Sequence, residues 1–325
     1  MNFVFLPFLF AWNPAPQDEF KYGPVYIFDM EINMIAAMNT DNGSILGTRV
    51  SGELKCRPHL SDTTILICRT EDTKIIRTYP NGFNTTGIEI FKNESYSPYG
   101  LGHDLYQVKF NNEGIENYGL ESNNDDASKW IIDMIRLITN QLSIGFQLEN
   151  RRNDEQFKKL ENFTVGECET EFKISRKKQM NNNNNNNNGE PKIIPIFDQS
   201  KFIFGPYDEI EIEKRRNIQN CPRHKEYFFG TRYNKGIVLK DVYNKLISST
   251  SQIIFSTTNF MSETTNECEI FDMDRNRLGK VLDHIKLKLK NGEPAKEEFV
   301  SITNATFYDT LAGESVVDSG NNYKN

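Results

Sequence analysis

At 325 residues the chain can hold one large β domain or two smaller ones, with a sizeable core in either case. A formal net charge of −7 excludes a general nucleic-acid binder, which needs a concentrated basic surface for counterion release, so any basic partner site has to be local. Mean hydropathy of −0.60 is polar for a globular chain, but 23 Phe and 13 Tyr supply large apolar surfaces, so a folded domain with long solvated loops is expected.

The chain opens on MNFVFLPFLF (Met1 to Phe10), an apolar run of signal-peptide type without a preceding Lys or Arg, and residues 1–17 are read as a signal segment. It is too short to span a bilayer as a helix, and the chain is expected not to be membrane-spanning. N-x-S/T sequons stand at Asn42, Asn84, Asn93, Asn162 and Asn304, which favours a secreted, extracellular glycoprotein. Tyr22 to Met30 begins the first strand. Gly47 to Arg57 and Thr63 to Thr70 form a hairpin turning at Asp62. Cys56 and Cys68 are equidistant from that turn and so face each other, placed for a cross-strand bridge. Residues 71–102, rich in Asn, Gly, Pro, Ser and Thr, read as short strands and loops.

LYQVKFNNEGIENYGLES (Leu105 to Ser122) alternates as two strands turning at Asn111 to Gly114. The stretch Asp125 to Asn150 follows, the one segment whose apolar residues recur at helical spacing over several turns: Trp130, Ile131, Met134, Ile135, Ile138 and Leu142. That face is too apolar for a solvated helix, so sheet is expected to close around it. Phe163 to Ser175 (FTVGECETEFKIS) is another alternating strand. Eight consecutive asparagines, Asn181 to Asn188, cannot build a packed element, and 179–191 is read as a disordered loop. Strand-like runs resume at Lys192 to Phe197, Asp208 to Lys214, Ile237 to Val242, Gln252 to Thr258 and Lys280 to Lys290. Residues 301–325 are polar and read as a tail or linker.

The order of a strand pair ending in F-N-x-x-G-x-I, a Trp-led helix, and then V-x-G-x-C-x-T-x-F-x-I-S resembles the N-terminal domain of vitellogenins and related large lipid transfer proteins. The resemblance spans roughly Phe20 to Pro294, and a domain at 18–300 is expected. It implies a mainly β fold, a curved antiparallel β-barrel wrapped around one central α-helix, of the lipovitellin N-sheet type. It also implies a Cys168–Cys221 disulfide, with Cys268 left over as a free thiol or an intermolecular partner. In the family a basic strand leading into the second of those cysteines is implicated in binding a receptor of the lipoprotein-receptor family. Carried onto DEIEIEKRRNIQNCPRHK, this points to Lys214, Arg215 and Arg216, with Arg223 and Lys225 as outer candidates. Acidic, calcium-organised receptor pockets would take such head groups by charge-assisted hydrogen bonds. The alternative is a solvated strand edge protected by charge, and Glu209, Glu211 and Glu213 precede the triplet.

Catalytic patterns are absent. There is no G-x-S-x-G elbow, no H-E-x-x-H and no phosphate-cradling glycine loop, so a non-enzymatic protein without cofactor or metal is expected. The pairs Cys56/His59 and Cys221/His224 have zinc-ligand character, against the reading of histidines in turns. Family members carry lipid in domains C-terminal to the barrel, so lipid cargo would need domains absent from this chain. The expected function is therefore the receptor-reading end of a vitellogenin-like lipid carrier and yolk precursor. A stand-alone binding module of the same fold and a hydrolase with an unfamiliar site are the other classes.

Overall fold

The computed structural model describes residues 3–5, 10–13, 22, 24–39, 45–59, 62, 64–78, 95–101, 104–121, 129–148, 151–164, 166–178, 192–195, 208–224, 242–256, 259–297, 302 and 305–310. The Asn tract, the sequons at Asn42, Asn84, Asn93 and Asn304, Lys225 and most of the run Ile237 to Val242 lie outside them.

Strands dominate. A small antiparallel sheet joins β1 (Phe3–Phe5), β2 (Phe10–Asn13) and β11 (Lys192–Pro195). The main sheet contains β3 (Pro24–Met38), β4 (Ile45–Pro58), β5 (Ile65–Thr78), the short β6 (Ser97–Pro98), β7 (Tyr106–Asn111) and β8 (Gly114–Glu121). It continues with β9 (Glu155–Phe163), β10 (Gly166–Lys178), β12 (Asp208–Arg216), β13 (Arg223–His224), β14 (Val242–Ser256), β15 (Phe260–Asp272), β16 (Arg277–Pro294) and β17 (Ala305–Tyr308). Its order is β13-β10-β12-β14-β15-β16-β3-β4-β5-β7-β8-β17, with β9 on the free side of β10 and β6 on β5. The strand at 305–308 joins the main sheet from within the stretch read as a polar tail.

The β7–β8 turn shows the local chemistry. Asn111 Oδ1 accepts the Glu113 amide at 2.8 Å, and Gly114 sits at φ 126, where a Cβ would also come within 2.5 Å of Ser143 Oγ. In the β4–β5 hairpin Asp62 Oδ1 accepts the Thr64 amide at 2.8 Å, and Cys56 lies directly opposite Cys68, to which it is bonded. The sequence pattern misses β9 and β15 because their inward positions are largely polar. Along β15 burial alternates strictly, yet Ser262, Thr264 and Asn266 occupy the buried side.

The helix is shorter than its periodicity predicts. α1 covers Lys129–Thr139, a 3₁₀ turn follows at Asn140–Leu142, and Ser143 is extended. Its burial is also not one-sided: Ile132 and Leu137 are as buried as Met134, Ile135 and Ile138, and Arg136 is 2% exposed. The sheet's inner residues, among them Phe28, Ile32, Val50, Phe172, Ile212 and Leu287, form one cluster with the helix residues. Each buried Leu or Ile there contributes about 1.5–3 kcal/mol.

The expected closed barrel is instead an open, strongly wrapped sheet. Among the described residues no ladder joins β9 and β13 at one end to β17 at the other. Side chains cross that seam. Lys159 pairs with Glu113 at 3.1 Å and Arg223 with Asp309 at 3.6 Å, while from the helix Arg136 Nε donates to the Asp309 carbonyl at 2.8 Å.

Candidate functional site

A strand presents successive side chains to opposite faces, so Lys214, Arg215 and Arg216 on β12 cannot all face one partner. Lys214 and Arg216 point into the wrapped sheet and are 3% and 4% exposed. This corrects the sequence expectation, which treats the triplet as one basic surface. Their charges are met by Glu161 of β9, itself 2% exposed. Lys214 Nζ donates to Glu161 Oε1 at 2.6 Å and to the Ser143 carbonyl at 2.8 Å. Arg216 Nε lies 3.2 Å from Glu161 Oε2, close enough for ion pairing but without hydrogen-bond geometry, and Nη1 donates to Ser249 Oγ at 3.1 Å and Ser251 Oγ at 2.8 Å. The Arg216 guanidinium also stands 4.4 Å above the Phe163 ring.

Burial opposes the charge on Glu161, but the cations of Arg216 and Lys214 outweigh it and hold its pKa below the usual carboxylate value. Burial pushes the Lys214 ammonium down; Glu161 pulls the other way and the like charge of Arg216 adds to the fall. Polar contacts continue across the inner face: Ser249 Oγ donates to Asn266 Oδ1 at 2.7 Å, and Ser262 and Thr264 donate to Gln141 Oε1 at 3.2 and 3.0 Å. The cluster thus ties β9, β12, β14 and β15 to the end of the helix. Gly145, at φ 88, lets the backbone pass so close that a Cβ would lie 2.7 Å from Glu161 Oε1.

Arg215 is the outward member. It is exposed, makes no ion pair among the described residues, and stands between two surface hollows of about 540 and 500 Å³. Glu171 faces it from β10 and Thr250 from β14. Arg223 is exposed but engaged, with Glu167 at 2.9 Å, Asn162 Oδ1 at 3.2 Å and Asp309. Asn162, the one described sequon asparagine, is exposed on β9 beside that group.

Cys168 is bonded to Cys221, holding the turn after β12 against β10. Cys268 is free and buried in a small apolar cluster with Phe163, Cys168 and Leu246, where burial pushes its thiol pKa far up. With Cys56 and Cys221 both in disulfides, neither C-x-x-H pair retains a thiolate for zinc. His59 Nδ1 instead accepts the Asp62 amide at 3.2 Å in the hairpin turn. Among the described residues no three His, Cys, Asp or Glu side chains are grouped to hold a metal, and no helix is long and apolar enough to cross a membrane.

A family model for the vitellogenin N-terminal domain matches residues 20–296. The chain belongs to that family. Among solved structures it resembles lipovitellin, in a structure concerned with that protein's lipid–protein interactions, at 12% identity and a TM-score of 0.56. The match covers 93% of this chain and 30% of the lipovitellin chain. At that identity the likeness concerns the fold. No curated protein matches the sequence significantly. The vitellogenin family is one of lipid carriers rather than enzymes. Within this vitellogenin N-terminal domain the basic strand is divided: two cations serve the interior, and one faces out. Glu161, which organises the interior pair, carries no sequence signal, because a lone glutamate in a strand reads as solvated.

Proposed function

We propose that this chain is the recognition end of a secreted, vitellogenin-like lipid carrier, with lipid transport performed by a longer protein of which it is the N-terminal domain. The observation that carries the reading is the family match across residues 20–296. Secretion is supported by two disulfides, which persist in oxidising compartments. The partner is an acidic, calcium-organised module of a lipoprotein-receptor-type receptor. Arg215 is the primary contact, with Arg223 and Lys225 as outer candidates; Lys214 and Arg216 support the strand from inside.

Arg215→Glu should weaken receptor-module binding roughly tenfold while leaving thermal stability nearly unchanged. Unaltered affinity in that variant would remove β12 from the interface. Fractionation of the native protein by density tests the carrier reading: a lipid-rich particle far larger than 37.6 kDa is expected.

A second reading, a binding module of the same fold that carries no lipid, is favoured by the interior of the sheet, which is filled by the chain's own helix and side chains. A lipid-free native species near 37.6 kDa would decide for it.

A further inference from the structure

One cavity on the outer face differs in composition from the ion-paired surface around it. It lies over β3, β4 and β5, where residues 293–297 run off β16, and encloses about 250 Å³. Its floor is apolar. Ile27 and Ile67 face outward there yet are only 4% and 5% exposed, with Val25 and Leu105 beside them and Ala295 of the crossing segment buried at 6%.

The rim is charged. Lys55, Arg57, Arg69 and Lys296 line it, with the carboxylates of Glu293 and Glu297. Glu71 serves both Lys55 and Arg69, at 2.6 Å each, while Glu53, 3.6 Å from Lys55, is drawn to Lys290 at 2.6 Å. Lys55, Arg57, Arg69 and Lys296 stand against Glu53, Glu71, Glu293 and Glu297, so the rim is balanced in formal charge, and what it offers an anion is the Arg57 guanidinium with Arg69 nearby. Arg57 is fixed at the centre, its Nη2 donating to the carbonyls of Tyr22 at 2.9 Å and Glu297 at 3.4 Å. Burial disfavours its charge; Glu297 favours it, and the nearby Arg69 cation disfavours it further. An incoming anion would offset the repulsion between Arg57 and Arg69.

We propose that this cavity binds a small amphipathic anion, with its head group on Arg57 and the rim cations and its apolar chain or ring over Ile27, Ile67 and Leu105. The volume, about 250 Å³, is just below the range of about 300–1,000 Å³ for drug-sized sites and limits the ligand to a single short chain. The site stands on strands other than β12, and its occupancy does not depend on receptor docking.

The test titrates decanoate into the whole chain by calorimetry, with decanol as the same chain without charge and decyl phosphate as the alternative head. Saturable one-to-one binding of an anion is expected, with decanol at least roughly tenfold weaker. The tighter of the two anions assigns the head as carboxylate or phosphate monoester. Lys296→Glu lies on the exposed rim, away from the core, and should weaken anion binding roughly fivefold or more at low salt while leaving the circular dichroism unchanged. Arg57→Gln should do the same more strongly. Absence of saturation, equal binding of decanol, or affinity unmoved by Lys296→Glu would each overturn the proposal.

Discussion

Glu161 illustrates how much one side chain carries. Its carboxylate compensates two buried cations, so Glu161→Gln leaves Lys214 and Arg216 without a counter-charge in a low-dielectric interior. Loss of about 3–5 kcal/mol is expected, read as a lowered thermal midpoint, whereas Arg215→Ala on the same strand should change stability by no more than about 0.5 kcal/mol. Asp283 is the opposite case. It is 3% exposed on the inner face of β16, opposite Asn266 and Met34, and burial raises its pKa well above the ordinary carboxyl value. Its protonated form is the one the fold accepts. The contribution of Asp283 is therefore complete below the unfolded-state pKa and is lost as pH rises towards the folded one. Asp283→Asn should remove that loss, so the stability difference between variant and parent should move in favour of the variant from acid to neutral pH, by at most about 1.4 kcal/mol per pH unit. A difference independent of pH would show that Asp283 is ionised in the folded protein.

Among the elements, the helix and the strands that contact it depend on each other. Ile138 is fully buried among strand residues, so Ile138→Ala should cost about 2–5 kcal/mol, visible in the thermal midpoint. β12 shows why a run of basic residues on a strand differs from one on a helix or loop. The twofold alternation sends Lys214 and Arg216 inward to Glu161 and leaves Arg215 outside. The turn that follows β12 is bound to β10 through Cys168–Cys221, which spans a sequence separation of 53. Replacing both cysteines by serine should lower stability by about 2–5 kcal/mol, and proteolysis in the 217–224 turn should then quicken. Unchanged resistance to proteolysis would assign the order of that turn to its backbone contacts with Glu169.

For the whole molecule, the wrapped sheet separates two electrostatic regimes. The outer face carries partly exposed pairs such as Lys173–Glu213 at 3.0 Å and Lys158–Glu169 at 3.3 Å, which solvent and salt screen. The Glu161 cluster is shielded from both. Raising salt should therefore abolish charge-dependent binding at Arg215 and at the Lys296 rim while moving the thermal midpoint little.

Much of this architecture is legible in the amino-acid order alone. The β4–β5 hairpin with its facing cysteines, the β7–β8 turn through Asn111 to Gly114, and a central apolar helix all follow from local periodicity and turn chemistry. The family is legible as well, through the resemblance carried by the motif from Val165 to Phe172. Local patterns fail where the interior is polar. β9 and β15 escape hydropathy because Glu161, Ser262, Thr264 and Asn266 point inward, and their burial depends on partners far away in the chain. The openness of the sheet, the pairing of Glu161 with Lys214 and Arg216, and the crossing of residues 293–297 over Ile27 and Ile67 are decided by the tertiary structure. Each depends on which distant strand supplies the neighbour, and a desolvated charge or a covered outer face has no local signature.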